Sequence, residues 1–480
     1  MELMEEITKT PPREGWLPKN ERKKILLLSD DMRLPSGVGC QSREIVLGTC
    51  HRFNWAQLGA AVQHPEAGKA IDASTSLSQD VGVEDAFLHI YPNNGYGDHM
   101  ILRKLIEIEK PDAIMHFTDP RFWGWLYQME HEIRQQMPLL YFHVWDDTPY
   151  PTYNENFYRS CDAIYTNSKL THNVVRQVWK RDKPEPWQVQ YIPYGVDHHI
   201  WHKIRDPEEF KGVIETRKQL FGENADKIKF VVLYNNRNIR RKMTSDIILA
   251  YQKFLHMLTE EQRKECRLVF HTAPVDENGT DLPAVLRECA PDIEVVFSPK
   301  HLPTQELNKI YNNSDVVINL ASNEGFGLGT LEAMMSERMI IVNVTGGLQD
   351  QVGFTDDDGN WIDPEIHYCK EWGTNSDGRY RKHGEWAIPV FPNNRALIGS
   401  PMTPFIFDDR CDWNDAALAI KQVYDLSPEE RARRGVLGRE YALDPKTGLC
   451  AQSMCDRLMT NFDICFKNWK PKKRFELFKV

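Results

Sequence analysis

Short apolar runs bounded by charge recur along the chain, each followed by a glycine-bearing or polar loop. The first, KKILLLSDD (Lys23–Asp31), has the continuous apolar character of a strand buried on both faces of a parallel sheet. The loop PSGVG (Pro35–Gly39) leads into QSREIVLGTCHRF, where Ile45, Val46 and Cys50 recur at helical spacing. Strand, glycine loop and helix predict the opening unit of a nucleotide-binding α/β domain. DAIMHF (Asp112–Phe117), PLLYFHVW (Pro138–Trp145) and DAIYTNS (Asp162–Ser168) continue the series, and VQYIPYGVD (Val189–Asp197) ends it. The charge-rich stretch Trp201–Lys229 predicts a linker and entry helix. A second series opens with KFVVLYNNR (Lys229–Arg237) and continues through RLVFHTA, EVVFSP, DVVINLA and MIIVNVT.

This alternation predicts an α/β fold of two Rossmann-like, doubly wound domains, residues 23–200 and 201–441, facing across a cleft. A ligand is expected in that cleft, at the carboxyl ends of the strands. Residues 1–22 read as a polar leader and 442–480 as a helix and tail. Between Asp350 and Gly384 the pattern breaks into an aperiodic run of Asp, Gly and Trp, predicted to be a functional excursion of the second domain.

Length and composition narrow the classes. A chain of 480 residues suits two domains, and 41% hydrophobic with 27% charged residues excludes disordered and fibrous classes. The uncharged stretch Ala396–Phe407 is only 12 residues long and contains Pro401 and Pro404, too little for a membrane span. The opening MELMEEITKT, with three glutamates, argues against a signal peptide. Ten cysteines without a C-x-x-C pair read as reduced thiols, and a cytoplasmic location is expected. The net charge of −10 disfavours a surface that coats nucleic acid nonspecifically, while leaving local basic patches open. One such patch is the tail Lys467–Val480, with six Lys/Arg against one Glu and Trp469, Phe475 and Phe478 interleaved. It suits either a phosphate backbone with stacked bases or an anionic membrane surface; the bland alternative is a solvated end packed on the first domain.

The most informative segment is SNEGFGLGTLEAM (Ser322–Met334). Glu324 and Glu332 stand eight positions apart, with Gly325, Gly327 and Gly329 between them, a strand before and a helix expected from Thr330. Such glycines let backbone amides approach a ligand, and a helix N-terminus favours a phosphate. A carboxylate at the loop start can hold sugar hydroxyls, and one a turn into the helix can reach a ribose diol. Two solvated glutamates on a flexible loop are the bland alternative, disfavoured by the full spacing. Directly after the strand at Lys229 come Arg237, Arg240, Arg241 and Lys242, a basic cluster suited to a diphosphate. The run Asp356–Asp358 reads as a turn, being followed by Gly359 and Asn360. No zinc spacing is present, and no metal site is expected.

In this segment the sequence resembles the retaining glycosyltransferases of family 4, whose E-x7-E pattern matches Glu324–Glu332. IPYGVD (Ile192–Asp197) resembles that family's interdomain I-P-N-G-V-D, with Tyr194 in place of Asn. NNRNIRRKM (Asn235–Met243) resembles its G-R-x4-K-G phosphate clamp, with Asn236 and Met243 in place of the glycines. ELNKIYNNSDVVINLAS resembles the helix and strand leading into E-x7-E, whereas SERMIIV lacks the family's Gly-x-Pro. The resemblance implies the GT-B fold and metal-independent transfer of a sugar, with retention, from a nucleotide sugar (a UDP-sugar) to a hydroxyl. No resident cofactor is implied. It implies that Arg237 and Lys242 bind the donor diphosphate and that Glu324, Gly325, Phe326, Gly327, Leu328 and Glu332 hold the donor. Gly37 and Gly39 match the family's first glycine loop, near the diphosphate or the acceptor, and His143 stands where the family often has a histidine close to the sugar. Asp119, Asp146 and Asp147 are candidates on the acceptor side. A nucleotide-sugar epimerase or hydrolase on the same fold, and a silent binding module, are the rival readings. The absence of a membrane-binding helix, the soluble composition and the Trp-rich excursion near the cleft tilt the reading of this tail toward nucleic acid over lipid, with a hydroxymethylated pyrimidine in DNA as the expected acceptor and a glycan, lipid or small molecule as the alternative.

Overall fold

The structure, a computed structural model, describes residues 15–61, 65–367 and 375–473. The leader up to residue 14, part of the predicted excursion (368–374) and the tail from 474, with Phe475 and Phe478, lie outside the described residues.

Two doubly wound sheets form, as the alternation predicts. The first contains β1 (Lys23–Asp30), β2 (Phe53–Ala60), β3 (Ile71–Asp72), β4 (Leu88–Pro92), β5 (Ala113–Phe117), β6 (Leu139–His143), β7 (Ala163–Thr166) and β8 (Val189–Tyr191). Their order is β3-β4-β2-β1-β5-β6-β7-β8, parallel except for the antiparallel β3–β4 pair. The second contains β9 (Phe230–Asn235), β10 (Cys266–His271), β11 (Val295–Phe297), β12 (Val316–Asn319), β13 (Met339–Asn343) and β14 (Ala387–Val390), ordered β11-β10-β9-β12-β13-β14. Strand order reverses between β1 and β5 in one sheet and between β9 and β12 in the other, and crevices at such switch points take ligands. An antiparallel hairpin, β15 (Asn394–Ser400) and β16 (Thr403–Arg410), stands apart from both sheets. The central strands are buried along their length, which is why they read as unbroken apolar runs.

Several elements bridge the domains. The helix Ala451–Asn468 packs on the first domain, where Phe462 meets the rings of Phe53, Trp55 and Tyr165. Its path begins at a parallel bridge between Val196 and Cys450. There Gly195 lies so close to the Cys450 backbone that a Cβ would fall 2.2 Å from the carbonyl carbon. The hairpin reaches across too: the Phe407 amide donates to the Thr148 carbonyl at 2.7 Å, and the Tyr153 hydroxyl to the Phe405 carbonyl at 2.9 Å. The excursion opens at Asp350, whose carboxylate accepts from the Lys169 amide and the Tyr191 hydroxyl, both at 2.9 Å. Further on, Glu365 pairs with His172 and Arg176 of the first domain at 2.8 and 2.6 Å. Asp356 accepts from the Asn360 amide and from His367 Nε2 in a turn closed by Gly359 at φ +85°.

Candidate functional site

The carboxyl ends of β9 and β12 bring the charged residues together. After β9 the chain makes a single turn of 3-10 helix, Arg240–Lys242, and leaves it through Met243 at φ +51°, a left-handed conformation that normally favours glycine. This turn aims Lys242 inward, and its Nζ donates to Glu324 Oε2, with both side chains nearly inaccessible to solvent. The same carboxylate oxygen accepts from the side-chain amides of Asn236 and Asn319, each at 3.4 Å. Arg241 Nη1 donates to the Asn323 carbonyl at 2.6 Å and stands 3.9 Å from both Glu324 Oε1 and Asp146 Oδ2.

Burial pushes the Glu324 carboxyl up, but Lys242, Arg241 and the hydrogen bonds outweigh it and hold the group down at about 2. Burial and Arg241 pull the Lys242 ammonium down to about 8, with Glu324 opposing them, so the pair is ionised at neutral pH.

Beyond Glu324 the loop is shaped by close approach. A Cβ at Gly325 would sit 2.5 Å from Val144 Cγ1 of the first domain, and Gly327 adopts φ +91°. Phe326 is buried, with its ring 5.4 Å from that of Tyr194. The helix Leu328–Met335 starts two residues earlier than the spacing predicts, and no side chain caps its N-terminus. Uncapped amides and the helix dipole give that end a partial positive charge that suits an anion. Leu328 faces the first domain, where a Cβ at Gly37 would meet its Cδ1 at 3.7 Å. Glu332 accepts from the Tyr311 hydroxyl at 2.6 Å and from Asn235 at 3.3 Å, but burial dominates and raises it to about 7.

The structure therefore gathers Lys242, Glu324, Gly325, Phe326, Gly327, Leu328, Glu332, Gly37 and Asp146 around one cleft, and separates other predicted residues from it. Arg237 points outward, 62% exposed, and pairs with Asp276 at 2.9 Å, whereas Arg241 is the arginine beside Glu324. His143, expected close to the sugar, has its ring buried among Tyr141, Trp145 and Tyr158, with Nε2 2.8 Å from the Tyr158 hydroxyl. Burial first, then the Arg121 charge, pulls its pKa down to about 3, so the ring is a neutral core group. Asp147 is likewise fully buried, beside Asp409 and Thr345 rather than in the cleft. Burial and the Asp409 charge push it well above the usual carboxylate range. Gly39 is structural: its amide donates to Ser36 Oγ at 3.0 Å, and a Cβ would lie 2.6 Å from the Leu34 carbonyl. Asp119 sits at the end of β5, chelating its own neighbour Arg121.

Among the described residues one trio of potential metal ligands lies together, Asp197, His198 and His199, whose ligand atoms fall within 4.8 Å of one another. It lines a cleft of about 1560 Å³ between the helices Gly37–Thr49 and Ala451–Asn468, which the Glu324 cluster does not border. No described helix is long and apolar enough to cross a membrane.

Residues 215–368 match the family model described as Glycosyl transferases group 1, so this part of the chain carries a domain of that group. The chain is 27% identical over 216 residues to the D-inositol 3-phosphate glycosyltransferase of Stackebrandtia nassauensis, covering 43% of this chain and 45% of that one. It is 28% identical over 109 residues to the trehalose synthase of Thermococcus litoralis, 22% of this chain and 26% of that enzyme. The chain thus matches less than half the length of these curated relatives. Among solved structures, HepE of Anabaena in complex with UDP-glucose superposes with a TM-score of 0.61 at 13% identity, over 92% of this chain and 99% of that chain. Sucrose-phosphate synthase of Thermosynechococcus elongatus gives 0.62 at 16%, over 93% and 100%. The fold is GT-B.

Proposed function

We propose that the chain is a glycosyltransferase that moves a sugar from a UDP-sugar to a hydroxyl acceptor, with retention and without a catalytic metal. The observation that carries this is the pairing of Lys242 and Arg241 around Glu324 beside an uncapped helix N-terminus. Breaking a sugar–diphosphate bond leaves negative charge on the diphosphate, and two cations with a helix N-terminus supply its counter-charge. The second-domain match to group 1 glycosyl transferases and the UDP-glucose held by HepE support the donor class. Glu324, already ionised and held by four donors or charges, is suited to orienting sugar hydroxyls rather than attacking carbon. With no free carboxylate assigned as nucleophile, the leaving diphosphate oxygen takes the acceptor proton on the same face, which gives retention.

The reading of DNA as acceptor rested on the tail. In its described part Lys472 pairs with Glu130 at 2.7 Å, its amide donates to the Arg134 carbonyl, and Trp469 packs on the first domain. Residues 467–473 thus lend that reading no support.

The test is a thermal-shift panel of nucleotide sugars, followed by transfer assays with and without chelator and assignment of the product anomer by NMR. A UDP-sugar should raise the melting temperature and be consumed in EDTA, giving a product with the donor's anomeric configuration. Failure of every nucleotide sugar to stabilise the chain would overturn the donor site. Inversion, or loss of turnover in EDTA restored by magnesium, would overturn the mechanism alone.

A further inference from the structure

Resting on that reading, the structure also bears on which acceptor is used. The acceptor wall is formed by the carboxyl ends of β1, β5 and β6, which carry Asp30, Asp119 and Asp146. Arg121 and Arg241 approach it, and both are already engaged. Arg121 is chelated by Asp119 at 2.7 and 3.0 Å, lies over the Trp145 ring at 5.5 Å and donates to the Met402 carbonyl at the hairpin tip. Arg241 is shared between Asp146 and Glu324, facing the donor. The helix that begins at Gly37 offers no phosphate cradle either. Its N-terminus is capped by Ser36, whose hydroxyl donates to Asp30 Oδ2 at 2.8 Å, so a negative charge is already in place.

Beside these carboxylates is an aromatic platform. Phe122, 48% exposed, stacks on Tyr96 with ring centroids 4.9 Å apart and planes at 10°. Behind it Tyr96 meets Trp123 edge-on, which fixes the pair. Tyr194, packed on Phe117, Phe142 and Phe326, lies on the same side of the cleft. Its side chain is 5% exposed, and among the described residues its hydroxyl has no hydrogen-bond partner. Buried hydroxyls are nearly always partnered. Burial, then the charges of Asp30 and Asp146, push this phenol up, which puts both carboxylates on its side of the cleft.

We infer that the acceptor is an uncharged carbohydrate or related polyol, seated on the Phe122–Tyr96 platform with its hydroxyls toward Asp30, Asp119 and Asp146, and that phosphorylated acceptors are disfavoured. Carboxylate oxygens accept from sugar hydroxyls, Arg121 and Arg241 are already paired and so are not free for a phosphate, and an exposed ring takes the apolar face of a sugar. In the transfer, the acceptor O–H bond and the donor sugar–phosphate bond break and the new glycosidic C–O bond forms. The proton leaves on the released UDP.

The experiment compares kcat/KM for neutral acceptors (glucose, maltose, myo-inositol) with their phosphate esters and with hydroxymethylcytosine DNA, in the wild type, Phe122→Ala and Asp119→Asn. A neutral acceptor should be preferred over its phosphate ester by about tenfold or more, the scale of one unfavourable charge contact. Phe122→Ala should raise KM for that acceptor by about tenfold, matching the worth of one aromatic contact, with kcat and the UDP-induced melting shift unchanged. Asp119→Asn, which can still cap its turn but frees Arg121, should shift preference toward the phosphate ester. Preference for a phosphate ester or DNA in the wild type, or an unchanged KM in Phe122→Ala, overturns the inference while the donor reading stands. Absence of any melting shift with UDP-sugars takes the donor reading down first. Saturation-transfer NMR of the neutral acceptors on the two proteins then still decides the platform.

Discussion

At one end of the glycine loop Glu324 sits among Lys242, Arg241, Asn236 and Asn319, whereas at the other Glu332 meets the neutral groups of Tyr311 and Asn235. Glu324 is buried and Glu332 half-buried, but the first is held down at about 2 and the second raised to about 7. Spacing makes the two residues look equivalent; their neighbours make one a permanent anion and the other a group that titrates near neutrality. Counter-charge is concentrated where a diphosphate and sugar would meet and is absent one helical turn away, where a neutral diol would lie.

The sharpest way to break this contrast is to remove the cation. Lys242→Met leaves the buried Glu324 with Arg241, 3.9 Å away, as its remaining counter-charge, and should cost about 3 kcal/mol of stability, measured by denaturant unfolding. An effect below about 1 kcal/mol, the range of exposed pairs, would mean that the pair is solvated. Next comes Glu324→Gln, which keeps the shape and removes the charge. It should lower kcat/KM by about 2–3 kcal/mol of transition-state stabilisation while the fold persists. Wild-type turnover in that variant would remove Glu324 from the site.

The two arginines separate more modestly. Arg241→Ala should weaken donor binding by roughly 1.5–3 kcal/mol, the range of a charge-assisted hydrogen bond. Arg237→Ala should cost less than about 1 kcal/mol, because its side chain is solvated and already paired with Asp276. Titration calorimetry with UDP decides between them, and the reverse order would restore Arg237 to the diphosphate.

The smallest effect is on pH dependence, and its sign differs between the glutamates. Glu332, raised from 4.5 to about 7, contributes stability that is full below pH 4.5 and fades as pH rises through 7. Glu324, lowered to about 2, contributes stability that is present above pH 4.5 and fades as pH falls toward 2. Glu332→Gln should therefore flatten the stability profile between pH 4.5 and 7 and leave the acid limb unchanged. A profile identical to the wild type would place Glu332 in water.

Much of this was legible in the sequence wherever a strand was an unbroken apolar run, as in β1, β6, β9 and β13. The strand β2 escaped because it carries Asn54 and Gln57 in a buried setting. Gln57 is satisfied there by Ser29 Oγ and the Asp30 carbonyl, a polar arrangement that no hydrophobic pattern announces. The hairpin Asn394–Arg410 escaped because most of its positions face solvent, so no inward face marks it. Within the site, the glycine loop, Lys242 and Glu324 stood out by spacing. Arg241 did not, because motif spacing selects Arg237, whereas the backbone turn ending at Met243 decides which arginine faces inward. The burial of the His143 ring was not legible either, because position along a strand does not reveal the face on which a ring lies.

One consequence follows from the bridge at Val196 and Cys450. The chain passes between the domains twice, once outward near Gly195 and once back at Cys450, and the two passages lie against each other with no room for a side chain between them. A lone tether would let the domains swivel about any direction. Two passages pressed against each other resist that swivel, because any relative turn must carry both backbones together.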